Sequence, residues 1–298
     1  MKKPLVSVIV ATYRRDKSLD DALKSLSNQT YDNLEVVVID DNANNDWNDK
    51  VKKIFENNKK VNKKIIYNLI VNKKNQGSAK TRNIGIKKAK GEYVTFLDDD
   101  DIYLPNKIIN QVKCMIDNNA DYGITDLYLY NEHDDLIERR TRGYLKNYLS
   151  SDNLVNHLEY HMTGTDTLMF KKEYLEKIGM FDPIDVGDEF YLMLKAINGN
   201  GKLCYYPNCD VKAYVHTGDV GLSSGESKIQ GENALFEYKK QFFNKIDRKS
   251  RKYIEMRHHA VLAFSFLKMK KYTKFIGEGI KSFVKSPIQG IKLCIERK

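Results

Sequence analysis

Four consecutive carboxylates are the feature of this sequence best suited to chemistry. The run Asp98 to Asp101 directly follows an apolar segment at 93–97 that is predicted to be a buried strand. Carboxylates at the end of a buried strand repel one another and are costly to desolvate unless a cation neutralises them. Their oxygens suit Mg²⁺ or Mn²⁺, which keep positions open for substrate phosphates. The run therefore predicts a divalent-metal site that receives a nucleotide diphosphate, with a solvated acidic loop as the alternative.

The elements that must position this run alternate between strands and helices. Continuous apolar, β-branched segments predict strands buried on both faces, and amphipathic stretches between them predict helices. The first helix would begin with a capping box made by Ser18 and Asp21. The predicted strands are at 5–10, 34–39, 65–71 and 93–97, and the helices are at about 18–26 and 78–90.

This alternation predicts the fold class and the location of the site. A chain that alternates in this way forms an α/β fold with a mostly parallel, doubly wound, Rossmann-like sheet. Ligands of such sheets bind beyond the carboxyl ends of the strands. Asp40 and Asp41 follow the second strand, and the run from Asp98 follows the fourth, so both acidic clusters fall at that edge.

Charge is distributed unevenly along the chain, whose formal net charge is +10. Residues 239–298 contain 17 Lys and Arg against 4 Asp and Glu, a net charge of +13, whereas residues 1–238 carry −3. A nucleic-acid binder would carry its positive charge on the reading domain, so this distribution argues against a nucleic-acid partner. It favours a C-terminal region that faces anionic lipid or a polyanionic acceptor, with a solvated basic face as the alternative.

The C-terminal region is predicted to be a helical appendage with an apolar stripe. We expect the stripe either to hold the protein near an anionic membrane or to pack on protein. The stripe consists of Tyr272, Phe275, Ile276, Ile280, Phe283 and Val284, and it is flanked by Lys274, Lys281 and Lys285.

The sequence also limits where the protein works. No apolar window approaches the roughly 18 residues of a membrane-spanning helix, and the apolar run near the N-terminus is too short for a signal peptide. The four cysteines show no C-x-x-C spacing and are compatible with a reducing compartment. We therefore expect a cytoplasmic protein, either free or peripheral on the inner face of the cell membrane.

Three segments in the first third of the chain resemble the glycosyltransferases of family 2, which have the GT-A fold and use nucleotide-diphospho-sugar donors. They are VSVIVATYRR at 6–15, EVVVIDDNA at 35–43 and NQGSAKTRNIGIKKAKGEYVTFLDDDD at 75–101. Their order and spacing fit the family, and a looser likeness extends to about residue 224. The resemblance implies a GT-A domain at 1–225, with a nucleotide-binding half at 1–105 and an acceptor-side half at 106–225, followed by a basic helical region at 226–298.

The resemblance implies that the first two strands hold the nucleotide. Ala11, Thr12 and Tyr13 would line the nucleotide pocket, with Tyr13 near the base. Asp41 would accept a hydrogen bond from the imide of uracil. A UDP-sugar is therefore the expected donor, together with a Mn²⁺ or Mg²⁺ cofactor.

The family's D-x-D element maps onto Asp98-Asp99-Asp100. It implies that Asp99 or Asp98 meets the ribose or the metal shell and that Asp100 coordinates the metal. The run of four carboxylates leaves this register open. Arg82 stands in the family's arginine position and would reach toward the diphosphate or the acidic cluster, with a structural ion pair as the alternative.

A general base is implied at the start of a buried helix. The family places an acidic residue there, and in this chain Asp188-Glu189 occupies the position. Asp188 would remove the proton of the acceptor hydroxyl in an inverting transfer. Glu189 remains an alternative base, and capping of the helix is an alternative role for Asp188.

Histidines offer weaker signals. His216 resembles a family histidine near the diphosphate, which implies a phosphate or metal contact, while a hydrogen-bonded structural role is equally open. His157 and His161 have the i, i+4 spacing of some zinc sites. Because Glu159 does not directly follow the first histidine, the metalloprotease element is not met. We interpret this pair as acceptor-side or surface residues.

The function that follows from the resemblance is an inverting, metal-dependent transfer of a sugar from a UDP-sugar to a hydroxyl of a glycan or lipid-linked acceptor. Bacterial surface-polysaccharide synthesis is the expected setting. A sugar-nucleotide nucleotidyltransferase is one alternative, although the first strand is not followed by a glycine-rich loop. A non-catalytic protein that binds membrane or nucleic acid through its basic tail is the other. Motifs typical of P-loop kinases, dinucleotide-binding dehydrogenases and nucleophile-elbow hydrolases do not occur.

Overall fold

The computed structural model describes residues 3–145, 150–184, 187–215 and 225–290, which form strands and helices in alternation over the first part of the chain. The strands are β1 (Val6–Thr12), β2 (Leu34–Asp40), β3 (Ile66–Val71), β4 (Tyr93–Phe96), β5 (Ile102–Tyr103), β6 (Tyr122–Asn131), β7 (Leu136–Arg140), β8 (Leu168–Lys171) and β9 (Leu203–Val215). The α-helices are α1 (Lys17–Ser27), α2 (Asn45–Val61), α3 (Ser78–Lys88), α4 (Lys107–Asp117), α5 (Ser150–Tyr160), α6 (Lys172–Lys177), α7 (Asp188–Asn198), α8 (Gly225–Lys240), α9 (Arg248–Lys268) and α10 (Tyr272–Lys285).

These strands form one sheet in the order β3-β2-β1-β4-β8-β6-β9-β5, and β7 pairs with β6. β1 runs parallel to β2 and to β4, and β2 runs parallel to β3. β8 is antiparallel to both β4 and β6, whereas β6 and β9 are parallel. The predicted α/β fold, with a mostly parallel central sheet and a helical C-terminal part, is confirmed.

Buried side chains explain why the first strands form. Every residue of β2 and nearly every residue of β1 is buried, as expected of parallel strands covered on both faces. Among the buried polar residues of these strands, Glu35 has a carboxylate that accepts hydrogen bonds from Ser7 Oγ and from the backbone N–H of Lys90. A side chain at Gly91 would place its Cβ 2.6 Å from Ser7 N, so the approach of this loop to β1 requires glycine. These contacts fix the start of β4, and therefore the position of the carboxylates that follow it.

The start of α1 corrects one prediction. The helix begins at Lys17, and Asp16 is its N-cap, with a side chain that accepts the Lys17 N–H at 2.7 Å. Ser18 therefore lies inside the first turn, and the predicted capping box with Asp21 is wrong. The apolar positions of the helix, including Leu19 and Leu23, pack in the core as predicted.

The chain divides into two compact units. Unit 1 comprises 1–153 and 162–217 and contains the sheet; unit 2 comprises 154–161 and 218–298 and contains α8, α9 and α10. The proposed division at residue 225 stays a prediction. Within the described ranges, no helix combines the length and the apolarity that a membrane crossing requires.

The histidine pair lies in unit 2 and corrects a second interpretation. The side chain of His157 is fully buried, so a surface position is wrong for this residue. His161 Nε2 lies 2.5 Å from Nζ of the buried Lys239. His157 lies on α5, and the half-buried His161 directly follows this helix and contacts α8 through Lys239.

Candidate active site

The carboxyl ends of β1, β2 and β4 meet at one edge of the sheet. Because β1 is the parallel neighbour of both other strands, Thr12, Asp41 and Asp98 come to the same edge. The backbone N–H of Asp41 donates to Thr12 O at 3.0 Å, and that of Leu97 donates to Ile9 O at 3.0 Å. This is the edge where ligands of such sheets bind.

A turn after β4 separates the four consecutive carboxylates. The backbone N–H of Asp101 donates to Asp98 O at 3.1 Å, which closes the turn. Asp98 and Asp101 then meet a third carboxylate, that of Asp166, with one oxygen from each lying within 4.8 Å of the others. Asp166 Oδ1 also accepts the Asp98 N–H at 2.6 Å, and Asp101 Oδ1 accepts the Tyr214 N–H at 2.8 Å.

This three-carboxylate cluster carries more negative charge than its protein contacts offset. Burial, together with the neighbouring carboxyl of Asp166, raises the pKa of Asp101 well above its ordinary value. Burial and the charge of Asp98 likewise raise the pKa of Asp166. Hard oxygen donors with excess negative charge fit a divalent cation such as Mg²⁺ or Mn²⁺. Sequence reasoning missed Asp166, because it lies in the isolated segment TGTDT and reaches the cluster only through the pairing of β8 with β4.

Asp99 and Asp100 have a different partner. Asp100 Oδ2 lies 2.9 Å from Nη2 of Arg15, and Asp99 Oδ1 lies 4.0 Å from Nε of the same residue. Asp99 Oδ2 also accepts the Tyr13 N–H at 3.2 Å. Burial, with repulsion from Asp100, raises the pKa of Asp99 to about 7. Asp100, the predicted metal ligand, therefore pairs with Arg15, which sequence reasoning did not assign although it follows β1 directly.

Arg82 links the acidic cluster to the start of α7. Its Nη2 donates to Asp98 Oδ1 at 2.7 Å, and its Nη1 donates to Asp188 Oδ2 at 2.9 Å. Burial alone would lower the pKa of Arg82, but the carboxylates of Asp98 and Asp188 hold it above its ordinary value. The guanidinium also lies over the ring of Phe181, 5.5 Å from its centroid. The hydrogen bonds of its guanidinium go to carboxylates in this structure, so the contact between Arg82 and a diphosphate stays a prediction.

Asp188 and Glu189 begin α7 as adjacent acids. Asp188 is buried, and its Oδ1 accepts the Glu189 N–H at 3.0 Å while its Oδ2 accepts from Arg82. The N-cap of α7 is Gly187, so the alternative of Asp188 as the cap of the helix is wrong. Burial and the carboxylate of Asp188 raise the pKa of Glu189 to about 8. Near neutral pH, Glu189 therefore keeps its proton beside the Asp188 carboxylate.

Asp41 is held by the loop that precedes α3. Its Oδ1 accepts Asn72 Nδ2 at 2.7 Å and the Gln76 N–H at 2.9 Å, and its Oδ2 accepts the Gly77 N–H at 3.0 Å. The side chain is buried. Gly77 has φ of 79°, a left-handed conformation that glycine adopts without strain. The carboxylate is thus oriented before any ligand arrives.

The remaining predicted pocket residues lie at the end of β1. Ala11 is half-buried, Thr12 is buried and Tyr13 is exposed. A cavity of about 550 Å³ opens next to them, with Arg14, Arg15 and Asp100 in its lining, and its volume falls in the range of small-ligand pockets. His216 lies outside the described residues, so its predicted contact stays a prediction.

A buried lysine, Lys107, lies in a hydrogen-bond network behind the turn that follows β4. Nζ of Lys107 donates to Thr95 Oγ1 and to Tyr103 Oη, both at 2.7 Å. Tyr103 Oη donates to the carbonyl oxygen of Phe96 and lies 3.0 Å from that of Asp166. Burial lowers the pKa of Lys107 well below its ordinary value. This network ties α4 to the ends of both strands that carry the acidic cluster.

Comparison with known proteins gives a consistent result. Residues 7–179 match the family described as Glycosyl transferase family 2. The chain is 29% identical over 234 residues to the Escherichia coli protein named UDP-Glc:alpha-D-GlcNAc-diphosphoundecaprenol beta-1,3-glucosyltransferase WfaP, which covers 78% of this chain and 85% of that protein. It is 37% identical over 138 residues to an uncharacterised glycosyltransferase of Rickettsia bellii, where the match spans 46% of this chain and 19% of that protein.

Two solved structures share the fold. TarS of S. aureus, residues 1–349 in complex with UDP-GlcNAc, superposes with a TM-score of 0.60 and 15% identity, covering 95% of this chain and 92% of that chain. The mannosyltransferase PcManGT of Pyrobaculum calidifontis, in complex with GDP-Man and Mn²⁺, superposes with a TM-score of 0.62 and 17% identity, covering 99% and 79%. At these identities the likeness establishes the fold.

Proposed function

The chain belongs to glycosyl transferase family 2, and from that membership we propose that it transfers a sugar from a UDP-sugar, with inversion, to a hydroxyl of a glycan or lipid-linked acceptor. The observation that carries the proposal is the pair of bonds from Arg82 to Asp98 and Asp188, because it joins a cation-binding cluster to a candidate base. WfaP is named for a UDP-glucose donor and a diphosphoundecaprenol-linked acceptor, which supports both substrate classes. Synthesis of a bacterial surface polysaccharide, by a cytoplasmic enzyme peripheral to the membrane, is the setting that we propose.

The metal would be held by carboxylates from the turn after β4 and from the segment that precedes β8. Asp98, Asp101 and Asp166 offer the donor set on which this assignment rests, and Asp100 remains the ligand implied by the family resemblance. When bound, a divalent cation would neutralise the charge that develops on the departing diphosphate. Mn²⁺ accompanies the donor in the PcManGT structure, which supports Mn²⁺ or Mg²⁺ for this chain.

Asp188 is the base that we propose. Arg82 Nη1 donates to this carboxylate at 2.9 Å, and the raised pKa of Glu189 keeps the neighbouring acid protonated. In the transfer, the acceptor oxygen forms a bond to the anomeric carbon while the bond from that carbon to the diphosphate oxygen breaks. The hydroxyl proton passes to Asp188, and UDP leaves with the bonding electrons. Arg82 acts as a positioning residue that holds the base relative to the acidic cluster.

The nucleotide would occupy the ends of β1 and β2. Asp41 is oriented by three surrounding N–H groups, and Oδ2 retains accepting capacity for an imide N–H. Ala11, Thr12 and the exposed Tyr13 border the same edge, which supports a position for the base and ribose there. The cavity of about 550 Å³ begins at Arg14, the next residue along the chain, and its volume is in the range of small-ligand pockets.

A donor screen tests the proposal. UDP release is measured across several UDP-sugars with an undecaprenyl-diphosphate-sugar acceptor, with Mn²⁺, with Mg²⁺ and after chelation, and the anomeric configuration of the product is read by NMR. We expect metal-dependent UDP release and inversion. Release of pyrophosphate would instead support a nucleotidyltransferase, and a product with retained configuration would remove the role proposed for Asp188.

A further inference from the structure

Helix α10 turns its polar side toward α9 within unit 2. Ser282 is buried, and its Oγ donates to Met256 O at 2.9 Å. Glu278 Oε2 lies 2.7 Å from His259 Nδ1, and Nζ of Lys285 lies 2.7 Å from an oxygen of Glu255 on α9. These polar positions, together with Phe275, therefore make the contacts of α10 with its neighbour. An ordinary surface helix of a globular protein packs in the opposite orientation.

The opposite side of α10 is apolar and faces solvent. We call it the α10 apolar face; it consists of Tyr272, Ile276, Ile280, Phe283 and Val284, whose spacing of 4, 4, 3 and 1 residues places them on one side of a helix. Each of these side chains is between 51% and 71% exposed. Phe275, included in the predicted stripe, packs instead against Ile229, Leu262 and Phe266. A contiguous exposed apolar patch of this kind marks an interaction surface.

The charge around this face selects among possible partners. Lys274 and Lys281 border it by helical spacing, and residues 239–298 carry a net charge of +13. A second copy of the chain would bring an equally basic surface against this one, so the two would repel. An anionic lipid surface offers both complementary charge and an apolar layer for the exposed side chains.

We propose that the α10 apolar face docks on a bilayer that contains anionic phospholipid. The helix has 14 residues and a length of roughly 21 Å, and it lies in the membrane interface with its axis parallel to the surface. The aliphatic and aromatic side chains enter the acyl boundary. Lys281, which pairs with Glu278 at 2.7 Å, and Lys274, whose Nζ lies 5.2 Å from the centroid of the Phe266 ring, turn from these partners to the phosphate layer. This inference rests on the proposed peripheral location and names the surface of unit 2 that makes the contact; it does not depend on the transfer reaction.

Vesicle sedimentation of the full chain tests the proposal. The protein is mixed with vesicles of phosphatidylcholine alone or of phosphatidylcholine with 30% phosphatidylglycerol, in about 0.1 M salt, where the Debye length is about 10 Å. We expect binding to the anionic vesicles that weakens at about 1 M salt. The triple variant Ile276→Ser, Ile280→Ser, Val284→Ser should bind the anionic vesicles at least about tenfold more weakly, because it removes apolar contact with the bilayer. Lys274→Gln with Lys281→Gln should reduce the preference for the anionic vesicles.

A matched control uses exposed apolar residues elsewhere. Val61, Leu136 and Ile137 are 70%, 54% and 54% exposed, so serine at these three positions removes comparable apolar surface and should leave vesicle binding unchanged. Circular dichroism confirms folding, and UDP binding without vesicles should be equal in all variants. Unchanged binding of the Ile276 triple variant would overturn the proposal. So would failure of the protein to sediment, or a concentration-dependent dimer in ultracentrifugation that the same triple variant dissociates.

Discussion

Replacing Arg82 by methionine should cost about 3 kcal/mol of the free energy of unfolding. Removing one partner of a buried ion pair typically costs about 3 to 5 kcal/mol, because the other charge stays buried without compensation. Two carboxylates are affected here, but they differ in exposure: the side chain of Asp188 is 7% exposed and that of Asp98 is 36% exposed. Water screens Asp98, so most of the cost arises at Asp188. Arg82→Lys keeps one charge and loses the two-pronged geometry, so about half of the cost should remain.

Urea unfolding measures this cost in the unit that contains the site. Trp47 is the single tryptophan of the chain and lies in unit 1, so its fluorescence reports on unfolding there. A double-mutant cycle with Asp188→Asn isolates the pair: because asparagine removes the stranded charge, we expect about 1 to 3 kcal/mol of coupling. Arg142→Met is the matched control. Arg142 is also buried, with Nη1 3.7 Å from Asp126. Its Nη2 donates to Thr163 O and Thr167 Oγ1, which flank Asp166, and the bonds described for it do not reach Asp188, so its coupling to Asp188→Asn should be near zero.

Two results would refute this reasoning. One is a loss below about 0.5 kcal/mol in Arg82→Met, the range of ordinary surface substitutions. The other is an Arg82 and Asp188 cycle that is additive within error, which would mean that the two side chains do not compensate each other. Equal coupling in the Arg142 control would show that the effect is a general consequence of losing a buried arginine.

Three further predictions test the acidic cluster, the base and unit 2. Asp166→Asn should weaken Mn²⁺ binding about tenfold or more by calorimetry, because it removes a charged ligand, whereas Asp121→Asn should not; equal affinities would exclude Asp166 from the site. Asp188→Asn should lower kcat by about 10² to 10⁴ with UDP affinity retained, and a larger loss in Glu189→Gln would reassign the base. Burial lowers the pKa of Lys239 from 10.5 to about 7, so the unfolded chain binds a proton that the folded chain does not between these pH values. Stability followed by circular dichroism should therefore rise from pH 7.5 to 9.5, by up to about 1.4 kcal/mol per unit, and Lys239→Met should flatten that slope; an unchanged slope would contradict it.

The parallel half of the sheet could be predicted because burial on both faces leaves a direct trace in the sequence. Strand β2, predicted at 34–39, spans Leu34–Asp40, and every one of its residues is buried. Helix α2 was missed although Trp47, Val51, Ile54 and Phe55 recur at the spacing of a helix, because these few apolar residues stand among many Lys, Asn and Asp. Strand β9 was missed because Pro207 and Asn208 interrupt it, at a point where its pairing with β6 shifts register.

The parts of the candidate site that sequence reasoning could not supply depend on pairing between distant segments. Asp166 becomes a neighbour of Asp98 because β8 runs antiparallel to β4, a pairing with no local signature. Arg82 meets Asp188 across 106 positions of sequence. Charge and spacing in the sequence can identify candidate residues, but the pairing of strands and helices in the fold determines which of these charged side chains contact one another.

The geometry of the turn explains why the four consecutive aspartates have two different sets of contacts. A turn closed between positions i and i+3 brings the first and fourth residues together and leaves the two central residues at its tip. Asp98 and Asp101 are the closing residues, so they face the buried Asp166, whereas Asp99 and Asp100 at the tip meet the half-buried Arg15. A cation held by the first pair would be backed by the interior of the sheet, and a cation at the tip would have to displace Arg15. The metal ligands that the sequence left open are therefore either Asp98 and Asp101, which face Asp166, or Asp99 and Asp100, which face Arg15. The variant Arg15→Gln distinguishes the two, because it should raise Mn²⁺ affinity only if the metal binds at the tip of the turn.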